Sequence, residues 1–301
     1  MNQILPEGRL LATEENQALL ASLDGLHAAM ERQIVLESIA LRCDRSHNLH
    51  LRLGEVDAVM PHAECAVGLE DGTTREIALL TRVGKPVAFL VTGLVGEDGR
   101  IVAQLSRRLA QERALEVLLN LPAGTVLPAT VTRLEPFGTF VDIGRGIPSM
   151  IPLGAISVAR IRHPSDRFYT GQEIFAVLQQ AVPEQRRLLL SHRELLGTWA
   201  ENAARFTPGE TVTGIVRGVL DYGIFVELAP NLPGLAEYLP GYEVGDQVSV
   251  YIKAILPERQ KIKLLLIDRL GRCALCTPPT YFVTEGNVAG WDYHAPTPSC
   301  S

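Results

Sequence analysis

Two short segments carry aromatic side chains at a spacing that suits stacking against flat ligands. Phe137-Gly-Thr-Phe140-Val-Asp and Tyr222-Gly-Ile-Phe225-Val-Glu each place a ring, a glycine, one variable residue and a second ring in a row. On a regular strand, positions three apart face opposite ways, so both rings share a face only if the glycine permits a bend or bulge. Rings held outward on a sheet stack on any unpaired base, at roughly 1–3 kcal/mol per base. Arg133, Arg187, Arg217, Lys253 and Lys261 fall on expected strands or turns near these rings and suit phosphate oxygens. Taken singly, a strand aromatic is often core and a basic residue often a solvated charge. The doubled pairing and the number of cations favour an RNA-facing surface.

Other chemistry-bearing residues form no such pattern. Cys273-Ala-Leu-Cys276 has the spacing of half a zinc site, which His294 or Cys300 would have to complete, but a regular second half is missing. His163 lies in a basic loop, Arg160-Ile-Arg-His-Pro-Ser-Asp-Arg167, and is expected to stay hydrated. A glycine-rich phosphate loop, a nucleophile with a histidine partner and a repeated acidic cluster are all missing from the sequence. Asp142 and Glu227 match across the two segments and are expected at strand ends beside solvent. Neither an enzyme, a metal site nor a cofactor is expected.

The rings belong to a longer repeat. Gly124 to Ile143 aligns without a gap on Gly209 to Leu228, and the register continues to Pro148 and Pro233. The second copy is then shortened by eleven residues before Gly171-Gln-Glu-Ile-Phe meets Gly245-Asp-Gln-Val-Ser, and Pro183-Glu-Gln-Arg-Arg meets Pro257-Glu-Arg-Gln-Lys as a hairpin. Each copy reads as five short strands, the size of a small Greek-key barrel whose closure removes sheet edges. A weaker copy precedes them, with Val59-Met60-Pro61, Gly84 to Val91 and Leu105 to Arg108 at matching places. Where its rings should fall stands Ser46-His-Asn-Leu-His-Leu51, so that face is not expected to stack bases.

The expected fold is mainly β with helical connectors. It comprises an N-terminal helix (1–33), a degenerate barrel (34–108), a helical linker (109–123), a barrel (124–194), a second linker (195–207), a third barrel (208–270) and a loose C-terminal tail (271–301). Helix formers over Glu14–Gln33, Leu105–Leu119 and Leu195–Ala204 support the helical joints.

Composition limits the function classes. The 301 residues are 47% hydrophobic, enough for packed cores, and an apolar run of membrane-spanning length does not occur. The start has no basic patch followed by an apolar block, and five scattered cysteines fit a reducing cytoplasm. The net charge of −6 opposes nucleic-acid binding on average, but it is unevenly spread. Residues 1–123 carry −5 and residues 208–270 carry −2, whereas residues 124–196 carry +2.

Residues 124–193 and 209–268 resemble the S1 RNA-binding domain, an OB-fold repeat, through their ring segments and the Leu190-Ser191 ending. The whole chain is similar to the short ribosomal-protein-S1-like proteins of clostridia-type bacteria, in Thr81-Arg-Val-Gly-Lys-Pro-Val87, Arg162-His-Pro-Ser-Asp-Arg-Phe168, Leu195-Leu-Gly-Thr-Trp-Ala-Glu-Asn202 and Val250-Tyr-Ile-Lys-Ala-Ile255. The resemblance implies that Phe137, Phe140, Tyr222 and Phe225 stack bases and that Arg187 and Lys261 supply the basic position of the last hairpin. It also implies a cytoplasmic, monomeric binder of single-stranded RNA or mRNA, with the small ribosomal subunit as partner and no membrane. Pro152 and Glu237 stand where the family often has histidine, and Pro183 and Pro257 where it often has aspartate. The alternative is a protein-interaction scaffold with vestigial RNA contact; a ribonuclease would need a constellation that the sequence lacks.

Overall fold

The computed structural model describes residues 4–70, 72–97, 100–272 and 278–295. The chain opens with two helices, α1 (Glu14–Leu20) and α2 (Leu23–Glu31), rather than the single expected one. Ser22 divides them by capping α2, its side chain accepting from the Gly25 N–H at 3.1 Å. Gly25 permits the tight corner, since a Cβ there would lie 2.4 Å from the Leu19 carbonyl oxygen.

The first sheet contains β1 (Leu36–Ile39), β2 (Arg42–Cys43), β3 (Leu49–Leu53), β4 (Val56–Met60), β5 (Pro86–Glu97) and β6 (Arg100–Ser106), with α3 (Ile77–Leu80) between β4 and β5. Its order is β1-β5-β6-β4-β3-β2. Six strands replace the expected five because the first is broken at Ala40-Leu41. The Ala40 N–H bonds to Lys85 O, beside β5, while the Leu41 N–H bonds to His50 O on β3. Counted as one bent strand, β1 and β2 link both ends of the sheet and restore the ring order of the other two domains.

After α4 (Arg107–Leu119) comes a closed barrel of β7 (Val126–Glu135), β8 (Gly138–Asp142), β9 (Pro148–Pro152), β10 (Glu173–Val182) and β11 (Arg187–Ser191). Following α5 (Trp199–Ala203), a second closed barrel is built from β12 (Thr211–Leu220), β13 (Gly223–Ala229), β14 (Leu232–Ala236), β15 (Asp246–Leu256) and β16 (Lys261–Arg272). Both are OB-type barrels of one ring order. Alternation along the strands fills them: Val131, Val141, Ile151, Ile174 and Leu190 are sealed in one, and Val216, Ile224, Val226, Val248 and Leu264 in the other. Each such side chain contributes about 1.5–3 kcal/mol on burial.

Three seams fix the domains to one another. At the first, Glu7 is buried against Arg107 at 2.6 Å and Arg82 at 2.9 Å, and its N–H donates to Asp142 at 2.8 Å. At the second, the residues absent from the third barrel's copy form a loop whose Val158 N–H donates to Asn231 Oδ1 and whose Ala159 N–H donates to Pro230 O.

The third seam corrects the expectation of a loose tail. Residues 278–295 lie along the second and third barrels, with the Val126 N–H on Gly286 O, the Val288 N–H on Gly124 O and the Trp199 N–H on Tyr293 O. Tyr281, Val283 and Val288 pack on Val126, Val177 and Leu195. The Gly and Pro content that read as slack supplies turns, while the scattered apolar side chains supply the anchoring. Cys273, Cys276 and Cys300 lie outside the described residues. Among the described residues, no helix is long and apolar enough to cross a membrane.

Candidate nucleic-acid interface

The two ring pairs adopt one geometry. Phe137 and Phe140 meet edge to face with centroids 6.1 Å apart and planes at 88°; Tyr222 and Phe225 do so at 6.2 Å and 89°. Phe137 is 58% and Tyr222 69% exposed, so their faces are open to ligand. Phe140 and Phe225 are half-buried on β8 and β13.

The reason the rings share a face differs from the one expected. Phe137 and Tyr222 are not on the strands but on the turns just before them, so strand alternation does not apply. The glycines that follow are required by a close neighbour instead. A Cβ on Gly138 would lie 2.6 Å from Ile151 O, and one on Gly223 would lie 2.6 Å from Ala236 O.

Across the second barrel, pairing registers Arg133 with Phe140, Phe140 with Met150, and Met150 with Leu189. This outward row has a cation at one end, where the Arg133 guanidinium lies 4.7 Å from the Phe140 centroid, a cation–π contact. Arg133 also meets Glu135 at 3.0 Å, while Arg187 is exposed at the start of β11. The matching row in the third barrel is Gly218, Phe225, Leu235 and Lys263. The cation has moved to the other end, from the strand before the ring to the strand closing the barrel.

Lys263 was not singled out in the sequence, although the gapless repeat followed by the shared hairpin aligns it with Leu189. Lys261 is exposed at the start of β16, and Lys253, half-exposed, pairs with Glu237 at 3.3 Å. Thus Glu237 does neutralise one cation of this face.

Arg217 is a correction. It occupies the bulge of β12, between Val216 and Gly218 in the pairing register, and its side chain is 8% exposed. It bonds Glu227 at 2.7 Å and Asp166 at 3.3 Å, and Arg167 meets the same Glu227 oxygen at 2.5 Å. A guanidinium buried between carboxylates offers nothing to phosphate. Glu227 and Asp142 are corrected with it, because both are buried rather than beside solvent. Burial, and then the Glu7 carboxylate, push Asp142 up to about 6, while the Gly144 and Gly146 N–H groups bond its Oδ1. Glu7 itself is penalised by burial, but Arg107 and Arg82 hold it below the usual carboxylate range.

His163 caps the short turn Pro164–Asp166, its Nδ1 accepting from the Ser165 N–H at 3.1 Å. His192 is sealed beneath the tail. Its Nδ1 lies 2.8 Å from Ile156 O and must donate there, which leaves Nε2 to accept from the Tyr281 hydroxyl at 3.0 Å. Burial lowers His192 to about 4.

An exposed ring pair beside one cation, repeated on two OB-type barrels, defines a class of surface suited to single-stranded nucleic acid. Residues 120–193, the second barrel, match the family model described as S1 RNA binding domain. The chain is similar to the small ribosomal subunit protein bS1 homolog of Bacillus subtilis, at 29% identity over 62% of this chain and 48% of that protein. It is 31% identical to small ribosomal subunit protein bS1 of Leuconostoc lactis over 56% of this chain and 42% of that protein. The bS1 of Staphylococcus haemolyticus is also 31% identical, over 60% and 50%. The chain therefore spans about half the length of the curated relatives that it matches.

Proposed function

We propose that the chain is a non-catalytic binder of single-stranded RNA that holds mRNA near the small ribosomal subunit in the cytoplasm, acting as a monomer. The carrying observation is the edge-to-face ring pair displayed identically on two barrels, each with one outward cation in the same row. The S1 match of the second barrel and the ribosomal names of the relatives support the same reading. Phe137, Phe140, Tyr222 and Phe225 stack bases, and Arg133, Arg187, Lys261 and Lys263 take phosphates, as does Lys253 once phosphate displaces Glu237. Arg217 is not among them.

Fluorescence anisotropy with pyrimidine-rich RNA at low salt tests the reading. Phe137→Ala with Phe140→Ala should weaken binding at least tenfold, since each stacked base is worth roughly 1–3 kcal/mol. Unchanged affinity would remove the proposal.

A second reading, a scaffold for proteins, rests on the third barrel. There Leu235, registered with Phe225, and Tyr238 and Leu239, just beyond β14, are exposed, and Glu237 pairs with Lys253. Partners that stay bound after nuclease treatment would favour it.

A further inference from the structure

The first domain carries different chemistry at the place where the others display rings. His47 sits on the turn between β2 and β3, as Phe137 sits on the turn between β7 and β8. Together with His62 and Glu76 it forms a cluster in which one ligand-capable atom from each residue lies within 4.8 Å of the others. His47 Nδ1 is 3.5 Å from Glu76 Oε2, and the two imidazoles are 5.9 Å apart at their centroids. We infer that His47, His62 and Glu76 form a zinc-type divalent cation site with three protein ligands, leaving a fourth position to water.

The donor set suits the ion. Imidazole nitrogen and carboxylate oxygen bind zinc at about 2.0–2.2 Å, which places tetrahedral ligands about 3.4 Å from one another. The His47–Glu76 pair already stands near that separation, and Glu76, 62% exposed on its side chain, is free to swing inward. Two histidines with one carboxylate and an open position is an arrangement that zinc accepts.

The turn is built to hold its imidazole. His47 is in the left-handed region at φ 61, a conformation that costs a non-glycine residue energy and calls for surrounding support. Asp44 provides it, accepting from the Ser46 and Asn48 N–H groups at 2.9 Å each and contacting His50 Nε2 at 2.8 Å. The His50 bond, then those of the loop N–H groups, hold the Asp44 carboxyl well below the usual carboxylate range. Asn48 Oδ1 then accepts from the His62 backbone N–H at 2.9 Å, tying the backbone of the second histidine to the loop that carries the first.

One atom is otherwise unexplained. His62 Nε2 is shielded from solvent yet has no hydrogen-bond partner among the described residues, and such an orphan normally costs about 1–3 kcal/mol. A cation held between His47, His62 and Glu76 would give this nitrogen the partner it lacks. Nothing in the spacing of 47, 62 and 76 along the chain marks these three as a set.

Zinc titration calorimetry on the full chain tests the site, with Cys273, Cys276 and Cys300 changed to Ser to silence the only CxxC pair. One equivalent of Zn2+ should bind. Glu76→Gln should weaken that binding about tenfold or more, as should His62→Gln. Glu76→Gln alters only an exposed side chain, so its effect does not depend on refolding, and a cooperative urea transition verifies His62→Gln. Cobalt in place of zinc should show ligand-field absorption without a thiolate charge-transfer band. No uptake by the chain carrying the three Ser substitutions, binding equal in Glu76→Gln and its parent, or a thiolate band would each overturn the assignment.

Discussion

The Arg133 guanidinium lies over the Phe140 ring at 4.7 Å, whereas the residue registered with Phe225 is Gly218, which leaves that ring bare on the same side. The third barrel compensates from the opposite end of the row with Lys263. Arg133→Ala and Lys263→Ala should therefore each weaken RNA binding and reduce the salt slope by about one, uniformly across sequences. Gly218→Arg should strengthen binding, since a Cβ there meets Phe225 only at ordinary contact distance, 3.7 Å. Anisotropy titrations at several salt concentrations measure all three. Arg217→Ala, by contrast, should act on stability and not on the salt slope.

Glu227 neutralises two buried guanidinium groups, Arg167 and Arg217. Glu227→Gln should destabilise the chain by about 3–5 kcal/mol, because breaking a buried pair strands the remaining charge. Urea unfolding reads the loss. A change below about 1 kcal/mol would mean that the seam between the closed barrels tolerates the stranded charges.

Glu37 sets a pH dependence. Burial, opposed by the Leu10 and Gly8 N–H bonds, raises it to about 7, and its Oε1 is buried without a partner among the described residues. The folded state thus holds a proton that the unfolded state releases at about 4.5. The stabilisation is fully present below pH 4.5 and is lost as pH rises through 7, at most on the order of 3 kcal/mol. Glu37→Gln should flatten this part of the stability profile in urea melts between pH 4.5 and 8.

His192 has the opposite sign. Its lowered pKa keeps the imidazole neutral, so stability is present above pH 6.5 and falls as pH drops towards 4. Tyr281→Phe removes the hydroxyl that donates to His192 Nε2 and accepts from the Phe175 N–H. The expected cost is about 1–3 kcal/mol at neutral pH, with the transition midpoint in urea as the readout.

What the sequence disclosed follows from the range of the interactions. The closed barrels and their ring pairs were legible because the repeat is local and the Gly138 and Gly223 positions punctuate it. The place of Arg217 off the ring row is legible in the gapless alignment, where it falls on Thr132, the bulge position of the second barrel, and not on Arg133; its burial is not, since Thr132 is exposed and Arg217 is enclosed by Glu227 and Asp166. The Glu7–Arg107 pair spans 100 residues and leaves no periodic trace. The packing of the tail leaves no trace for a related reason, since Tyr281, Val283 and Val288 follow neither helical nor strand spacing and acquire meaning only against barrels already formed.

The strap of residues 278–295 makes the unit of sequence similarity smaller than the unit of folding. A fragment trimmed to residues 120–193 would keep Phe137 and Phe140 on display but strip cover from Val126, Phe175 and Val177. Such an excised domain would carry an oily scar opposite to nothing in the intact chain, and its self-association would be an artefact of the scissors.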